Sequence, residues 1–271
     1  MSINPVLSTT IESLPISVYN SNAEVGQAAA ADAATFLKIT ISERGYANVI
    51  LATGNSQLSF LETLRAIPGI DWSKVNIFHM DEYIDLEPNH PASFPVFLRR
   101  HFIDHLHPTA GAFFPVPGQR TEAGIRPEDV QGCKEYEKLL RDYPADLCAL
   151  GIGENGHLAF NDPPYADFND PVWVKVVELD EVSRRQQAGE GHFPDLESVP
   201  THAITLTIPA LLAARKVLAI VPEGRKASAV QRSMQGPIDP NCPASILRQT
   251  AHAHLYLDRD SAALTFDIKN L

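Results

Sequence analysis

Apolar residues recur along the chain in two rhythms, short continuous runs and longer stretches in which they return every three or four residues. That alternation predicts strands and helices in turn. Ala23 to Ser42 is alanine-rich with apolar residues at helical spacing. Tyr46 to Ala52 is a buried-type strand ending in Thr53-Gly54-Asn55-Ser56, and the helix over Leu58 to Ile67 stops at Pro68-Gly69. Val75 to His79 is the next strand; Met80-Asp81-Glu82-Tyr83 and a loop with Pro88 and Pro91 follow. Phe94 to Leu106 has helical spacing, with Pro95 tolerable in a first turn. Pro127 to Arg141 carries Glu128 and Asp129 early and Lys138 and Arg141 late, the charge order that suits a helix dipole. The strand Asp146 to Leu150 then feeds a loop with glycines at 151, 153 and 156.

Beyond Asp162 the pattern changes. Pro163-Pro164 and the acidic 167–170 stretch are turn-rich, Trp173 to Leu179 alternates like a strand, and Glu181 to Pro200 is polar. Residues 163–200 therefore predict a mobile flap over a site. The α/β pattern resumes with strands at Ala203 to Ile208 and Lys216 to Val221, a helix over Arg225 to Gln235 and a strand at His254 to Leu257. Units of this kind predict a mainly parallel sheet with helices on both faces, in one domain spanning 1–271.

Composition narrows the classes. The 271 residues are 44% hydrophobic and 20% charged, ordinary for a globular chain. A net charge of −11 argues against general nucleic-acid binding, since no basic surplus exists to displace counterions. Cys133, Cys148 and Cys242 are an odd set without metal-ligand spacing, expected to be reduced thiols of a cytoplasmic protein. No secretory signal stands at the start and no run approaches a membrane span. A homo-oligomer is compatible with the sequence, which does not set subunit number.

Four segments carry candidate chemistry. Leu51-Ala-Thr-Gly-Asn-Ser-Gln57 is a small polar turn between strand and helix; it can cradle an anion on free N–H groups, or Ser56 can simply cap the helix. Asp81 and Glu82 lie just past a strand. A carboxylate there can move a proton between adjacent carbons, as enolisation requires, or cap a helix or pair with Arg99 or Arg100. Gly151-Ile-Gly153-Glu154-Asn155-Gly156-His157 delivers an imidazole to a sheet edge, with Asp162 following. Its spacing matches a dinucleotide turn, but Pro163 and Pro164 break the helix that motif needs. Arg184 and Arg185 in the flap and Lys226 in Gly224-Arg-Lys-Ala227 are cations suited to a phosphate; a lysine at a helix start opposes the usual dipole preference. The other histidines form no HExxH motif, so no metal site is expected.

Together these segments resemble the glucosamine-6-phosphate deaminase family, whose superfamily includes the 6-phosphogluconolactonases. The resemblance runs from about Val49 to Asp258. It implies a Rossmann-like three-layer α/β/α fold with a lid, no metal or organic cofactor, and a small-molecule sugar phosphate as partner. The implied reaction is aldose-to-ketose isomerisation of a 2-amino-2-deoxyhexose 6-phosphate with loss of ammonia, part of amino sugar and N-acetylglucosamine catabolism. Asp81 matches the family's proton-transferring carboxylate and His157 its ring-opening histidine. The phosphate falls to Thr53, Gly54, Asn55, Ser56, Lys226 and a flap arginine, with Glu82, Gly153 and Gly156 also against substrate. Asn155 stands where many relatives carry aspartate and Asp162 where glutamate is usual, so Glu154 or Asp162 is left to support the imidazole. Two rivals are a lactonase, which needs no carbon-to-carbon proton transfer, and a non-catalytic sugar-phosphate sensor.

Overall fold

Residues 7–19 fold into a hairpin whose residues carry no clear apolar rhythm. Strands β1 (Leu7–Ile11) and β2 (Leu14–Tyr19) pair antiparallel, with Glu12 in the turn at a φ of 52°. The computed structural model describes residues 3–87, 89–118, 131–163, 165–189, 191 and 193–268. Helix α1 (Asn22–Arg44) starts where the Ser21 hydroxyl accepts from the Glu24 N–H and ends at Gly45, whose φ of 82° suits only glycine comfortably. There follow β3 (Ala47–Leu51), α2 (Leu58–Ala66), β4 (Val75–His79), β5 (Asp81–Tyr83), α3 (Phe94–His101), β6 (Ala112–Phe114), α4 (Gln131–Asp142), β7 (Leu147–Leu150) and β8 (Val174–Glu178). The chain continues through α5 (Glu181–Gly189), β9 (His202–Leu206), α6 (Ile208–Leu212), β10 (Lys216–Val221), α7 (Ala227–Gln235), β11 (Ala253–Asp258) and α8 (Arg259–Ala262).

The main sheet has the order β1-β2-β11-β10-β7-β3-β4-β6. Every pairing in it is parallel except that of β1 with β2. Its central strands are mostly apolar because both faces are covered. Val49 and Leu51 pack on one face with Leu37, Phe60 and Leu64, while Ile50 and Cys148 pack on the other with Tyr136, Leu140 and Val230. Fully burying each such Leu, Ile or Phe contributes roughly 2 kcal/mol. Asp146, expected within its strand, lies just before β7. Its buried carboxylate accepts from the Asn48 N–H at 2.9 Å and pairs with Arg44 and Arg215, tying β7 to β3 at the end away from the site.

Chain order runs outward from β3 through β4 to β6, then returns to β7 beside β3 and proceeds outward through β10 and β11. The carboxyl ends of β3 and β7 therefore flank a topological switch point, where open α/β sheets bind ligands. A second, antiparallel sheet of order β5-β9-β8 stands over it. Tyr83, Phe94, Phe160, Val177, Phe193 and Val199 form its own apolar cluster.

Three expectations are refined. The strand expected at Ala203 to Ile208 pairs in this small sheet rather than the main one, and α6 begins at Ile208. Helix α3 ends at His101, because Phe102 leaves helical geometry (φ −137°), and a single 3-10 turn over Ile103–His105 follows. Of the helix expected from Pro127, residues 127–130 lie outside the described residues. The predicted flap contains β8 and α5. Among the described residues no helix is long and apolar enough to cross a membrane.

Candidate active site

Two short turns build one end of a cleft at the switch point. After β3, Gly54 takes a φ of 95° and a 3-10 turn over Asn55–Gln57 leads into α2. After β10, Glu223 takes a φ of 85° and a 3-10 turn over Gly224–Lys226 leads into α7. Each turn presents the start of a helix, where N–H groups lack intrahelical acceptors and favour an anion. Buried Gln57 ties the first turn to β10, the strand that leads into the second: its side-chain amide donates to the Ile220 carbonyl at 3.0 Å and to Ser56 Oγ at 3.3 Å. The Glu223 N–H is held by the Asp258 carboxylate at 3.0 Å, which fixes the second turn. Lys226 is buried and faces the cleft with Arg225.

The other end carries a carboxylate and an imidazole. Strand β4 passes through Met80 into β5, which brings Asp81 to the cleft wall. Beneath it His79 is fully buried; its Nε2 accepts from the Val116 N–H at 2.8 Å, and burial lowers its pKa to about 3, so the ring is neutral. Burial, reinforced by the neighbouring Glu82, pushes the Asp81 carboxyl up to about 8. The Glu82 carboxylate turns elsewhere. It accepts from Ser93 Oγ at 2.6 Å and from the Tyr83 N–H at 2.8 Å, beside the start of α3, and burial raises it to about 7. Glu82 thus serves the start of α3, while Asp81 faces the cleft.

His157 lies across Gly153, where an added Cβ would overlap the imidazole. Its Nδ1 is 2.9 Å from Asp162 Oδ1. Asn155 braces the same oxygen from Nδ2 at 2.7 Å, while its Oδ1 accepts the His157 N–H at 3.0 Å. Burial raises the Asp162 carboxyl, but the His157 charge and the bonds from His157, Asn155 and Ser183 outweigh it and hold the group below its ordinary value. Asp162 is thus the carboxylate that supports the imidazole.

An open cleft lies between these ends. Thr53, Gly54, Asn55, Ser56, Asp81, Gly153, His157 and Lys226 line it, against an apolar wall of Phe94, Phe97 and Phe160. Other expected site residues do not. Glu82 is spent on the α3 start. Glu154 directs its carboxylate to Arg225, with Oε1 at 3.6 Å from Nη1. Gly156, at a φ of 94°, packs where a Cβ would come within 2.9 Å of Cys242 Sγ. Arg184 donates to the carbonyls of Leu196 and Val199 at 2.7 and 3.0 Å, and exposed Arg185 pairs with Glu181 one turn back. Periodicity could not reveal this, because adjacent arginines on a helix point different ways. Three contributors went unselected: Ser183 against the dyad, Gln187 and Arg225 in the cleft lining. Ser183 and Arg225 adjoin the charged residues Arg184 and Lys226, and Ser183 and Gln187 share one helix face by their i, i+4 spacing. Among the described residues no group of three or more His, Cys, Asp or Glu side chains is placed to hold a metal ion.

Comparison with known proteins bears on this geometry. Residues 20–256 match the family model of glucosamine-6-phosphate isomerases/6-phosphogluconolactonase. A glucosamine-6-phosphate deaminase of Exiguobacterium sibiricum is 36% identical over 219 residues, covering 80% of this chain and 81% of that protein. One from Bacillus pumilus is 32% identical over 237 residues, covering 86% and 94%. The solved structure of a monomeric glucosamine-6-phosphate deaminase superposes with a TM-score of 0.80 at 28% identity, over 92% of this chain and 99% of that one. A putative 6-phosphogluconolactonase from Neisseria gonorrhoeae, at 21% identity and a TM-score of 0.70 over 92% and 100%, shares the fold.

Proposed function

The chain belongs to the glucosamine-6-phosphate isomerase/6-phosphogluconolactonase family, and from that premise we propose that it is an enzyme of amino sugar metabolism that converts glucosamine 6-phosphate and water to fructose 6-phosphate and ammonia. One observation carries this assignment: Asp81 and His157 open onto the same cleft as the Thr53–Ser56 turn and Lys226. A phosphate held at the second end leaves the reducing end of a hexose for the first. Binding energy at the phosphate, remote from the reacting carbons, is then used for orientation.

The steps follow from the groups available. Asp162 and Ser183 both accept toward His157 Nδ1, so Nδ1 carries the ring proton and Nε2 is the basic nitrogen. Nε2 takes the proton from O1–H and delivers one to the ring oxygen, which opens the pyranose to the aldehyde. Ionised Asp81 then removes the proton from C2; the electrons form the C1–C2 double bond as the aldehyde oxygen is protonated. Returning a proton to C1 gives a C2 iminium. Water adds to that carbon, the nitrogen is protonated, and ammonia leaves with formation of the C2 ketone. Lys226 and Arg225 supply the charge opposite the phosphate, with Glu154 and Glu223 steadying Arg225. The flap arginines are better placed for holding the 193–199 segment and the surface of α5.

A carboxylate, Asp81, on the same cleft as His157 favours the deaminase over the lactonase, because lactone hydrolysis requires no proton transfer between carbons. The test is product analysis. Purified protein with glucosamine 6-phosphate releases ammonia and fructose 6-phosphate in equal amounts, with or without chelator. Hydrolysis of 6-phosphogluconolactone without ammonia release from any amino sugar phosphate would overturn the assignment.

A further inference from the structure

Helix α5 reaches the dyad through one buried hydroxyl. Ser183 Oγ donates to Asp162 Oδ1 at 2.6 Å and lies 3.2 Å from His157 Nδ1. That carboxylate oxygen therefore receives three groups from two elements: Asn155 and His157 on the glycine loop, and Ser183 on the lid helix. Among the described residues the other oxygen, Oδ2, is buried with no hydrogen-bond partner, so the donors to Asp162 converge on Oδ1 at this junction. Next to Ser183, Arg184 clamps the same helix to the carbonyls of Leu196 and Val199. Val199 packs in one cluster with Tyr83, which shares β5 with Asp81. The helix is thus tied to the imidazole on one side and, through Val199, to the strand of the carboxylate on the other.

We propose that Ser183 is a positioning residue that latches α5 onto the His157–Asp162 dyad, so that seating of the lid helix and orientation of the imidazole are one coupled event. The hydroxyl has a single proton and gives it to Asp162, which leaves its oxygen to accept from His157 Nδ1–H. Unseating α5 removes one acceptor from the imidazole and one donor from the carboxylate together. The consequence for the reaction rests on the deaminase assignment above. The coupling itself does not, and the experiment separates the two.

Amide hydrogen exchange over residues 181–189 in the ligand-free protein measures the latch without turnover. Ser183→Ala and Asp162→Ala, each confirmed folded by its thermal transition, are both expected to speed that exchange about tenfold, the effect of losing one hydrogen bond to a charged group. By reciprocity, Ser183→Ala adds nothing further in the Asp162→Ala background. In turnover, Ser183→Ala lowers kcat about tenfold with KM within about twofold, and Ser183→Thr, which keeps the hydroxyl, restores kcat. Unchanged exchange in Ser183→Ala and Asp162→Ala, or fully additive effects, would overturn the latch. Wild-type protein inert toward glucosamine 6-phosphate but coupled in exchange would overturn the assignment and leave the latch standing.

Discussion

The end of the cleft assigned to phosphate is assembled from two turns of the main sheet, the first held to β10 by Gln57 and the second to β11 by Asp258. The acid–base end draws on three separately anchored pieces: β5 of the small sheet, the glycine loop after β7, and the lid helix. An anion site needs only N–H groups and a cation fixed relative to one another, which adjacent parallel strands supply. Proton transfer needs two groups of tuned basicity on opposite sides of a substrate, one of them desolvated as Asp81 is. On the proposed function, binding falls to turns of the main sheet and chemistry to elements packed beside it.

That contrast is breakable by substitution. Asp81→Asn is expected to lower kcat about 10³-fold and abolish exchange of the C2 proton with solvent, leaving affinity for inorganic phosphate intact; isotope exchange and phosphate titration check both halves. Gly153→Ala forces the imidazole off its seat and should lower kcat about 10²-fold with little change in KM. Lys226→Ala acts at the opposite end, raising KM for glucosamine 6-phosphate about 10- to 100-fold with kcat nearly preserved and no effect on unphosphorylated glucosamine. A matching loss on both substrates would show that the two ends are not separable.

Smaller effects sharpen the same division. In the free protein Asp81 must be ionised to act, so kcat/KM is expected to rise with pH up to about 8. Its raised folded-state value also means that the folded chain holds a proton the unfolded chain has released, between the ordinary aspartate value and about 8. Stability therefore falls as pH climbs through that window, and thermal melts of Asp81→Asn should show a shallower fall. Arg184→Ala should lower Tm by about 3 °C without moving KM. Arg185→Ala breaks an exposed pair worth at most about 0.5 kcal/mol and should change neither.

Much of this was visible in the sequence where one residue type and one backbone geometry coincide. The runs Val75–His79 and Lys216–Val221 are strands with those boundaries, because a short, mostly apolar run between breakers has few other uses. The turns at 53–56 and 224–226, Asp81 and His157 announced themselves by their places after strands. The hairpin of β1 and β2 escaped notice because its edge strand is half exposed and mixes Ser and Thr with Leu and Ile. The small sheet is invisible to periodicity, since β5 has three residues and pairs with β9 more than a hundred positions away. Charge drew attention to Arg184 and Arg185, whereas the dyad is reached by Ser183, a neutral residue whose role exists only once α5 is folded over Asp162.

A crystal structure with an unreactive open-chain analogue of glucosamine 6-phosphate tests the two-ended cleft most directly. The expected complex has phosphate oxygens within hydrogen-bonding distance of the 53–56 turn and Lys226, C2 beside the Asp81 carboxylate and O5 beside His157 Nε2. Phosphate seated on Arg184 or Arg185, or a C2 beyond the reach of Asp81, would contradict it.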